Sequence, residues 1–341
     1  MILESVLKGY MVRTPQVAGS LVLGDVRVPD LAGPTCVRVS IRAASVNYRD
    51  LLVLGGYAGP GSLEELVPLS DGAGVVTEIG SGVWRVKPGD RVALTFNPDW
   101  LAGEWFASPG AGGRGGYLPG VACEEVVVDQ NELVVLPDYL SFEEGATLPC
   151  AAVTAWNALC VRPLLPGMTV LVQGGGGVSI FALQFARLFG ARVIALSSSP
   201  ERCAKLAELG AHDTIDRTAH PEWAQEVRAL TQGQGVDVAL DLGGAATIAQ
   251  TVASMKAGGR IAIVGMLGGM PESLPNILPS RVSLDPVTVG SRADLENLVR
   301  AMALHEVRPV IAREYAFDQL GAALIDLARG EHFGKIVVSI P

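Results

Sequence analysis

Spacings that bind a structural metal or build a disulfide framework are missing from this sequence. Its five cysteines, Cys36, Cys123, Cys150, Cys160 and Cys203, are scattered over 341 residues without a CxxC pair. An odd, dispersed set in a long chain argues against disulfides and fits reduced thiols. The four histidines, His212, His220, His305 and His332, are equally dispersed. Positive charge is in deficit: 26 Lys and Arg face 35 Asp and Glu, a net charge of −9. That balance disfavours a general nucleic-acid binder. No apolar run reaches the roughly 20 residues needed to cross a bilayer. The first residues lack the basic start and apolar stretch of a signal peptide. The expectation is a cytoplasmic protein whose partners include neither nucleic acid nor membrane.

What the sequence does have is core-forming material. Apolar residues make up 49% and charged residues 18%, which excludes a disordered composition. A length of 341 residues favours two domains, because single cores stop growing near about 250–300 residues. In the first third, Val37, Val39 and Ile41 alternate with Arg38, Ser40 and Arg42, the period of a half-buried strand. Val75–Thr77 and Arg91–Leu94 read as further strands, with turn chemistry at Lys87-Pro88-Gly89-Asp90 between them. Residues 97–120 read as a long loop rich in Gly, Pro and Trp. Its Trp100, Trp105 and Phe106 either line an apolar pocket or pack on one another. The middle of the chain alternates short apolar strands with helical segments, which implies a parallel, doubly wound sheet. The expected strands are Thr169–Gln173, Arg192–Leu196, His212–Ile215, Asp237–Asp241 and Arg260–Gly265. A helix over Ala245–Lys256 is expected before the last of them. After it, Asp294–His305 and Phe317–Arg329 read as helices and Lys335–Ile340 as a terminal strand.

The strand Thr169–Gln173 runs into Gly174-Gly175-Gly176-Gly177 and an apolar helix from Val178 to Phe189. A dinucleotide pyrophosphate needs helix N-terminal amides with no side chains in the way. These glycines and Val178 therefore form a candidate cofactor site, although a glycine cluster also makes plain turns. An NAD site carries an acid about 20 residues on, at the next strand tip. Here the tip reads Ser197-Ser198-Ser199-Pro200, without an acid. Ser197 and Ser198 leave room for a 2′-phosphate, and Arg202 can neutralise it. The expected cofactor is therefore NADP(H). The plainer alternative makes Ser199 a helix cap and Arg202 a solvated side chain.

The chain resembles the medium-chain dehydrogenase/reductase superfamily over essentially its full length. The motifs are Ala44-Ser45-Val46-Asn47-Tyr48-Arg49-Asp50, Asp71-Gly72-Ala73-Gly74-Val75-Val76, Val86-Lys87-Pro88-Gly89-Asp90-Arg91-Val92, Leu171–Ser179 and His332-Phe333-Gly334-Lys335. The resemblance implies an α/β protein: a GroES-like β-barrel catalytic domain (1–150 and 290–341) with a Rossmann doubly wound parallel sheet (151–289) inserted. In zinc alcohol dehydrogenases of this superfamily a Cys stands at the place of Asn47. Gly-His-Glu stands at Leu69-Ser70-Asp71, and a further Cys lies near Cys150. One remaining thiol cannot hold a catalytic zinc, which takes three protein ligands, so no metal is expected and Cys150 reads as a small buried residue. The four cysteines of the structural zinc lobe are also absent from residues 97–116.

The likeness is to zinc-independent branches: quinone oxidoreductases, 2-alkenal reductases and enoyl reductases. Without a Lewis acid, hydrogen-bond donors must stabilise the charge left on oxygen. Three residues are catalytic candidates. Asn47 offers an amide to an oxyanion or to the nicotinamide ribose. Tyr57 offers a phenol to protonate an enolate carbon, unless it merely packs. Arg49 adds charge, unless Arg49-Asp50 is a structural ion pair. The resemblance and the carboxyl-end rule for parallel sheets add Thr154, Leu242, Gly243, Gly265, Met266, Leu267, Gly290 and Ser291 as cofactor contacts. Lys335 is a phosphate candidate or a solvated lysine. The leading expectation is an NADPH-dependent reductase of quinones or activated enals and enones, with a small-molecule substrate and a homodimeric state. The alternatives are a zinc-independent alcohol dehydrogenase or carbonyl reductase, and a non-catalytic NADPH-binding protein.

Overall fold

A computed structural model describes residues 7–13, 21–27, 29–56, 65–105, 112–273 and 277–341. The chain divides into two compact units, Met1–Val153 with Val289–Pro341, and Thr154–Thr288. The first segment carries β1 (Leu7–Arg13), β2 (Leu21–Val26), β3 (Cys36–Val46), α1 (Tyr48–Leu54), β4 (Glu65–Leu66), β5 (Asp71–Ile79), β6 (Arg91–Leu94), β7 (Glu125–Asp129), β8 (Leu133–Val135) and α2 (Phe142–Ala146). A single π-helical turn, Leu148–Ala152, leads into α3 (Val153–Cys160). The inserted unit continues with β9 (Thr169–Gln173), α4 (Gly177–Leu188), β10 (Arg192–Ser197), α5 (Pro200–Glu208), β11 (Asp213–Asp216), α6 (Trp223–Leu230), β12 (Val236–Asp241), α7 (Ile248–Ser254), β13 (Met255–Ile263), α8 (Ile277–Ser280) and β14 (Ser283–Pro286). The chain then returns through α9 (Arg292–His305), β15 (Ile311–Ala316), α10 (Leu320–Arg329) and β16 (Lys335–Ser339). Among the described residues no helix is long and apolar enough to cross a membrane.

In the first unit β3 is the organising strand. It pairs antiparallel with β5, β7 and β16. The sheet runs β15-β16-β3-β5-β6-β8, with β7 on β3. The alternation of Val37, Val39 and Ile41 sends all three into the core, under Leu320 and Leu324 of α10. Gly74 is obligatory here: a Cβ on it would lie 2.1 Å from the Ser40 carbonyl oxygen of β3. Only a residue without a side chain lets the two backbones approach so closely.

The inserted unit is a six-stranded parallel sheet in the order β11-β10-β9-β12-β13-β14, the doubly wound arrangement expected from the sequence. Burial on both faces explains why its strands read as apolar runs such as Val170-Leu171-Val172 and Val193-Ile194-Ala195-Leu196. Several expected boundaries move by a few residues, and one has a clear physical cause. α7 stops at Ser254 rather than Lys256, because Met255 turns extended (φ −77°, ψ 147°) and begins β13 against Val236. Local helix propensity yields there to sheet pairing.

Candidate active site

The strand order of the inserted unit reverses between β9 and β12, which pair through Val170↔Val238 and Leu171↔Ala239. Ligands of such sheets bind outside the carboxyl ends at this reversal. Gly174 leaves β9 at φ +87°, a left-handed conformation that favours glycine. Gly176 is the extended N-cap of α4, and Gly177 and the half-buried Val178 form its first turn. A Cβ placed on Gly174 or Gly176 would meet nothing within 4 Å, so the turn is open on the side a phosphate needs. The turn is braced from behind. The Ser179 hydroxyl donates to the Gln173 carbonyl (2.5 Å), and Gln173 Nε2 donates to Thr251 Oγ1 (2.8 Å). Asp241, at the end of β12 and fully buried, accepts from the Gly244 N–H (2.9 Å), Thr247 Oγ1 (2.9 Å) and Thr251 Oγ1 (2.6 Å).

At the end of β10 the Ser197 hydroxyl is buried, 1% exposed, with no partner among the described residues. Ser198 and Arg202 are half-buried. Ser199 caps α5 by accepting from the Arg202 N–H (3.3 Å), so the plainer alternative for Ser199 holds. Sequence reasoning missed Arg217. Its N–H donates to the Ser197 carbonyl (2.8 Å) and its side chain is exposed. The available signal was its place, the first residue past β11.

Leu242, Gly243, Gly265, Met266 and Leu267 are brought together. Leu267 N–H donates to the Leu242 carbonyl (3.1 Å), and Gly268 N–H to the Gly243 carbonyl (2.9 Å). A Cβ on Gly265 would lie 3.1 Å from the Leu242 carbonyl oxygen. Thr154 is buried on α3. Gly290 and Ser291 belong to the first unit. Ser291 is the N-cap of α9, its hydroxyl donating to Asp294 Oδ2 (2.7 Å) and accepting from the Asp294 N–H (3.1 Å).

The first unit holds a second constellation, built of charges. Asn47 follows β3 as N-cap of α1, its N–H donating to Asp50 Oδ2 (2.8 Å). Lys335, the first residue of β16, is only 4% exposed. Its ammonium donates to Asn47 Oδ1 (2.5 Å) and the Val46 carbonyl (2.7 Å). The solvated-lysine reading of Lys335 is thereby excluded. Asp71 opens β5, fully buried. It accepts from the Ser70 hydroxyl (2.6 Å) and from the Cys150 N–H (3.1 Å), in the π-helical turn. Burial raises the Asp71 carboxyl to about 6, with the Lys335 ammonium opposing that shift. Burial likewise lowers Lys335, raises Asp50 against the pull of Arg49, and raises the Cys150 thiol. Asp71 stood in a sequence motif without being singled out; only its burial beside Lys335 marks it.

Arg49 is committed elsewhere. Its guanidinium bonds Asp50 Oδ1 (3.1 Å) and the carbonyls of Arg114 and Gly115 (both 2.9 Å), over the Phe96 ring. Buried Arg114 in turn pairs with Glu132 and the Pro119 carbonyl. Within the loop, Trp100 packs on Trp105 with ring centroids 5.2 Å apart, and its indole N–H donates to Gly103. Tyr57 and Phe106 lie outside the described residues.

Comparison with known proteins is decisive on family. The alcohol dehydrogenase GroES-like domain matches residues 33–138, and the zinc-binding dehydrogenase family matches residues 177–303. A zinc-type alcohol dehydrogenase-like protein of Schizosaccharomyces pombe is 37% identical over 328 residues, 93% of this chain and 94% of that protein. The chain belongs to the medium-chain dehydrogenase/reductase superfamily. It is an NAD(P)H-dependent oxidoreductase, and its first unit contains the GroES-like domain of that superfamily. A putative alcohol dehydrogenase from Sinorhizobium meliloti superposes with a TM-score of 0.92 at 37% identity, over 100% of both chains. A solved NAD-dependent alcohol dehydrogenase gives 0.90 at 32%, over 98% of this chain and 100% of that one.

The superfamily's zinc can be tested against the donor set in place. The positions that hold the metal in its zinc members are here Asn47, Ser70 and Cys150. Ser70 donates its proton to Asp71, and the Cys150 thiol is raised by burial. The Asn47 oxygen already accepts from an ammonium. Zinc takes thiolate, imidazole or carboxylate ligands, and a dication beside a buried ammonium is repelled. These residues do not fit zinc.

Proposed function

We propose that this chain is a zinc-independent, NADP(H)-dependent reductase that delivers hydride to quinones or to activated enals and enones. The observation that carries the reading is the open glycine turn at the head of α4 with the unpartnered Ser197 hydroxyl on the next strand. Amides at the start of α4 and the helix dipole hold the pyrophosphate. Ser197 and Ser198 donate to the 2′-phosphate, and Arg202 and Arg217 neutralise it. Leu242, Gly243 and Gly265–Leu267 hold the nicotinamide end by main chain, with Thr154, Gly290 and Ser291 as further family-type contacts. Bound NADPH supplies the hydride. Asn47 stabilises the developing oxyanion, and Tyr57 protonates the enolate carbon. Arg49 fastens the loop around Arg114 to α1.

An NADPH-oxidation screen over quinones, enals, enones and aldehydes, with NADH in parallel, tests this. Turnover of a quinone or enone with NADPH at least about tenfold preferred is expected. Preference for NADH overturns the cofactor assignment. Activity confined to aldehydes and alcohols favours the alcohol dehydrogenase or carbonyl reductase reading, which the names of the relatives support. Tight NADPH binding without turnover makes the protein a non-catalytic binder. Unchanged turnover in Tyr57→Phe removes that residue from the chemistry. One zinc per chain in the purified protein, or inactivation by a chelator, removes the zinc-free assignment. Sedimentation at twice the chain mass is expected of a homodimer.

A further inference from the structure

Asp241 stands behind the cofactor crevice rather than in it, and it is fully buried. Among the described residues every partner of its side chain is a neutral donor. Oδ1 accepts from the Gly244 N–H (2.9 Å) and the Thr247 hydroxyl (3.0 Å). Oδ2 accepts from the Thr251 hydroxyl (2.6 Å), with Gln173 Nε2 at 3.4 Å. A set made only of donors suits the ionised, acceptor-only carboxylate. The ion pairs described in this unit fall on Asp213, Glu226, Asp237 and Asp285, and none involves Asp241. A buried charge without a counter-charge costs stability, so bracing alone is a poor account of a carboxylate at this place. Its position is the second observation. Asp241 ends β12, where the strand order reverses, and directly precedes Leu242 and Gly243. Its main-chain carbonyl accepts from the Val264 N–H (2.9 Å) and the Gly265 N–H (3.4 Å). Side chain and main chain of one residue thus tie down both turns assigned to the nicotinamide end. Burial leaves the negative charge weakly screened there.

The two redox states of the cofactor differ in charge only at that end. The reduced nicotinamide ring is neutral and the oxidised ring is a cation, while the phosphates are the same in both. We infer that Asp241 is an electrostatic determinant of hydride transfer: its fixed negative charge favours the oxidised ring and so makes bound NADPH a stronger hydride donor. The inference rests on the nicotinamide lying at Leu242–Gly243 and Gly265–Leu267, as proposed above. No proton moves and no bond changes at Asp241; it acts by its field.

The test separates charge from bracing. Asp241→Asn removes the charge at nearly constant size, and Thr247→Val keeps the charge but removes one donor. NADPH affinity of the full chain is read by fluorescence titration, and NADP+ affinity by competition against it. If NADH proves the better ligand, NADH and NAD+ are used instead. In Asp241→Asn the ratio of the NADP+ to the NADPH dissociation constant is expected to rise about tenfold, equivalent to about 30 mV in the potential of the bound cofactor. In Thr247→Val both affinities should change by the same factor, leaving the ratio within about twofold of wild type, because the charge is still there. If Asp241→Asn does not fold, Asp241→Asn/Thr247→Val gives the amide one donor fewer to meet and carries the same measurement and expectation. A ratio unmoved in the charge-free variant overturns the inference and leaves Asp241 a brace, with the reductase reading still standing. An equal rise in Thr247→Val also overturns it, because geometry and not charge would then set the ratio. A wild-type chain that binds neither redox state sinks the reductase reading and the inference with it.

Discussion

The crevice of the inserted unit is made of main chain and small side chains, whereas the Asn47 cluster of the first unit is made of buried charges held by neutral hydrogen-bond partners. In the crevice, polar groups are left open: glycines with empty space where a Cβ would stand, and an unpartnered Ser197 hydroxyl. In the cluster, Asp71 has a partner on each oxygen, and Lys335 is held on two sides. The difference teaches which region receives a ligand's charge and which supplies charge of its own. A phosphate brings its charge with it and needs only aligned amides and room. An oxyanion is formed during reaction and needs a field already in place.

Four measurements break or sharpen that contrast. The largest effect is expected at the crevice. Gly174→Val puts a β-branched residue at φ +87° and fills the open side of the turn. NADPH affinity, read by fluorescence titration, should fall about 100-fold, or about 3 kcal/mol. Wild-type affinity would mean that the phosphates lie elsewhere. Next is the brace behind the turn. Asp241→Ala leaves the Gly244, Thr247 and Thr251 donors buried without their acceptor, and should cost about 2–3 kcal/mol in urea denaturation. A loss below about 1 kcal/mol would show the network to be incidental. Third, Arg217→Glu should weaken NADPH about tenfold while leaving NADH unchanged, the scale of one charge-assisted contact. Equal effects on both cofactors would remove Arg217 from the 2′-phosphate.

The smallest effect is a pH slope at the cluster. The folded pKa of Asp71, about 6, lies above its ordinary value of 3.8. Its contribution to stability is therefore full below about pH 4 and is lost as pH rises through 6. The melting temperature of Asp71→Asn/Lys335→Met should therefore gain on wild type between pH 4 and 5 by roughly 2–4 °C, about 1 kcal/mol for a unit of this size. A constant difference between the two proteins would place Asp71 in a more solvated setting.

Legibility in the sequence followed the same division. The parallel sheet and its glycine turn were readable because each element is local: a five-residue apolar strand, a turn and a capped helix all lie within residues 169–190. The exposed Arg217 was missed because its proximity to Ser197 exists only through the pairing of β10 with β11. Arg49 was readable as a charge beside Asp50, but not as a fastener of residues 114 and 115, about 65 positions away. Lys335 suggested a phosphate contact or a solvated surface. Nothing in His332-Phe333-Gly334-Lys335 announces that β16 will lay it beside Asn47, 288 positions earlier.

By itself the sequence determined the doubly wound sheet, the family and the residues present at the positions that hold zinc in other members. Each is a matter of residue type, period or order along the chain. Tertiary structure alone decided what stands among those residues. Antiparallel pairing of the last strand with β3 carries the Lys335 ammonium into a space enclosed by Val46, Asn47 and Asp71. A buried charge is tolerable only where partners converge on it, and here they converge from segments that lie hundreds of residues apart along the chain.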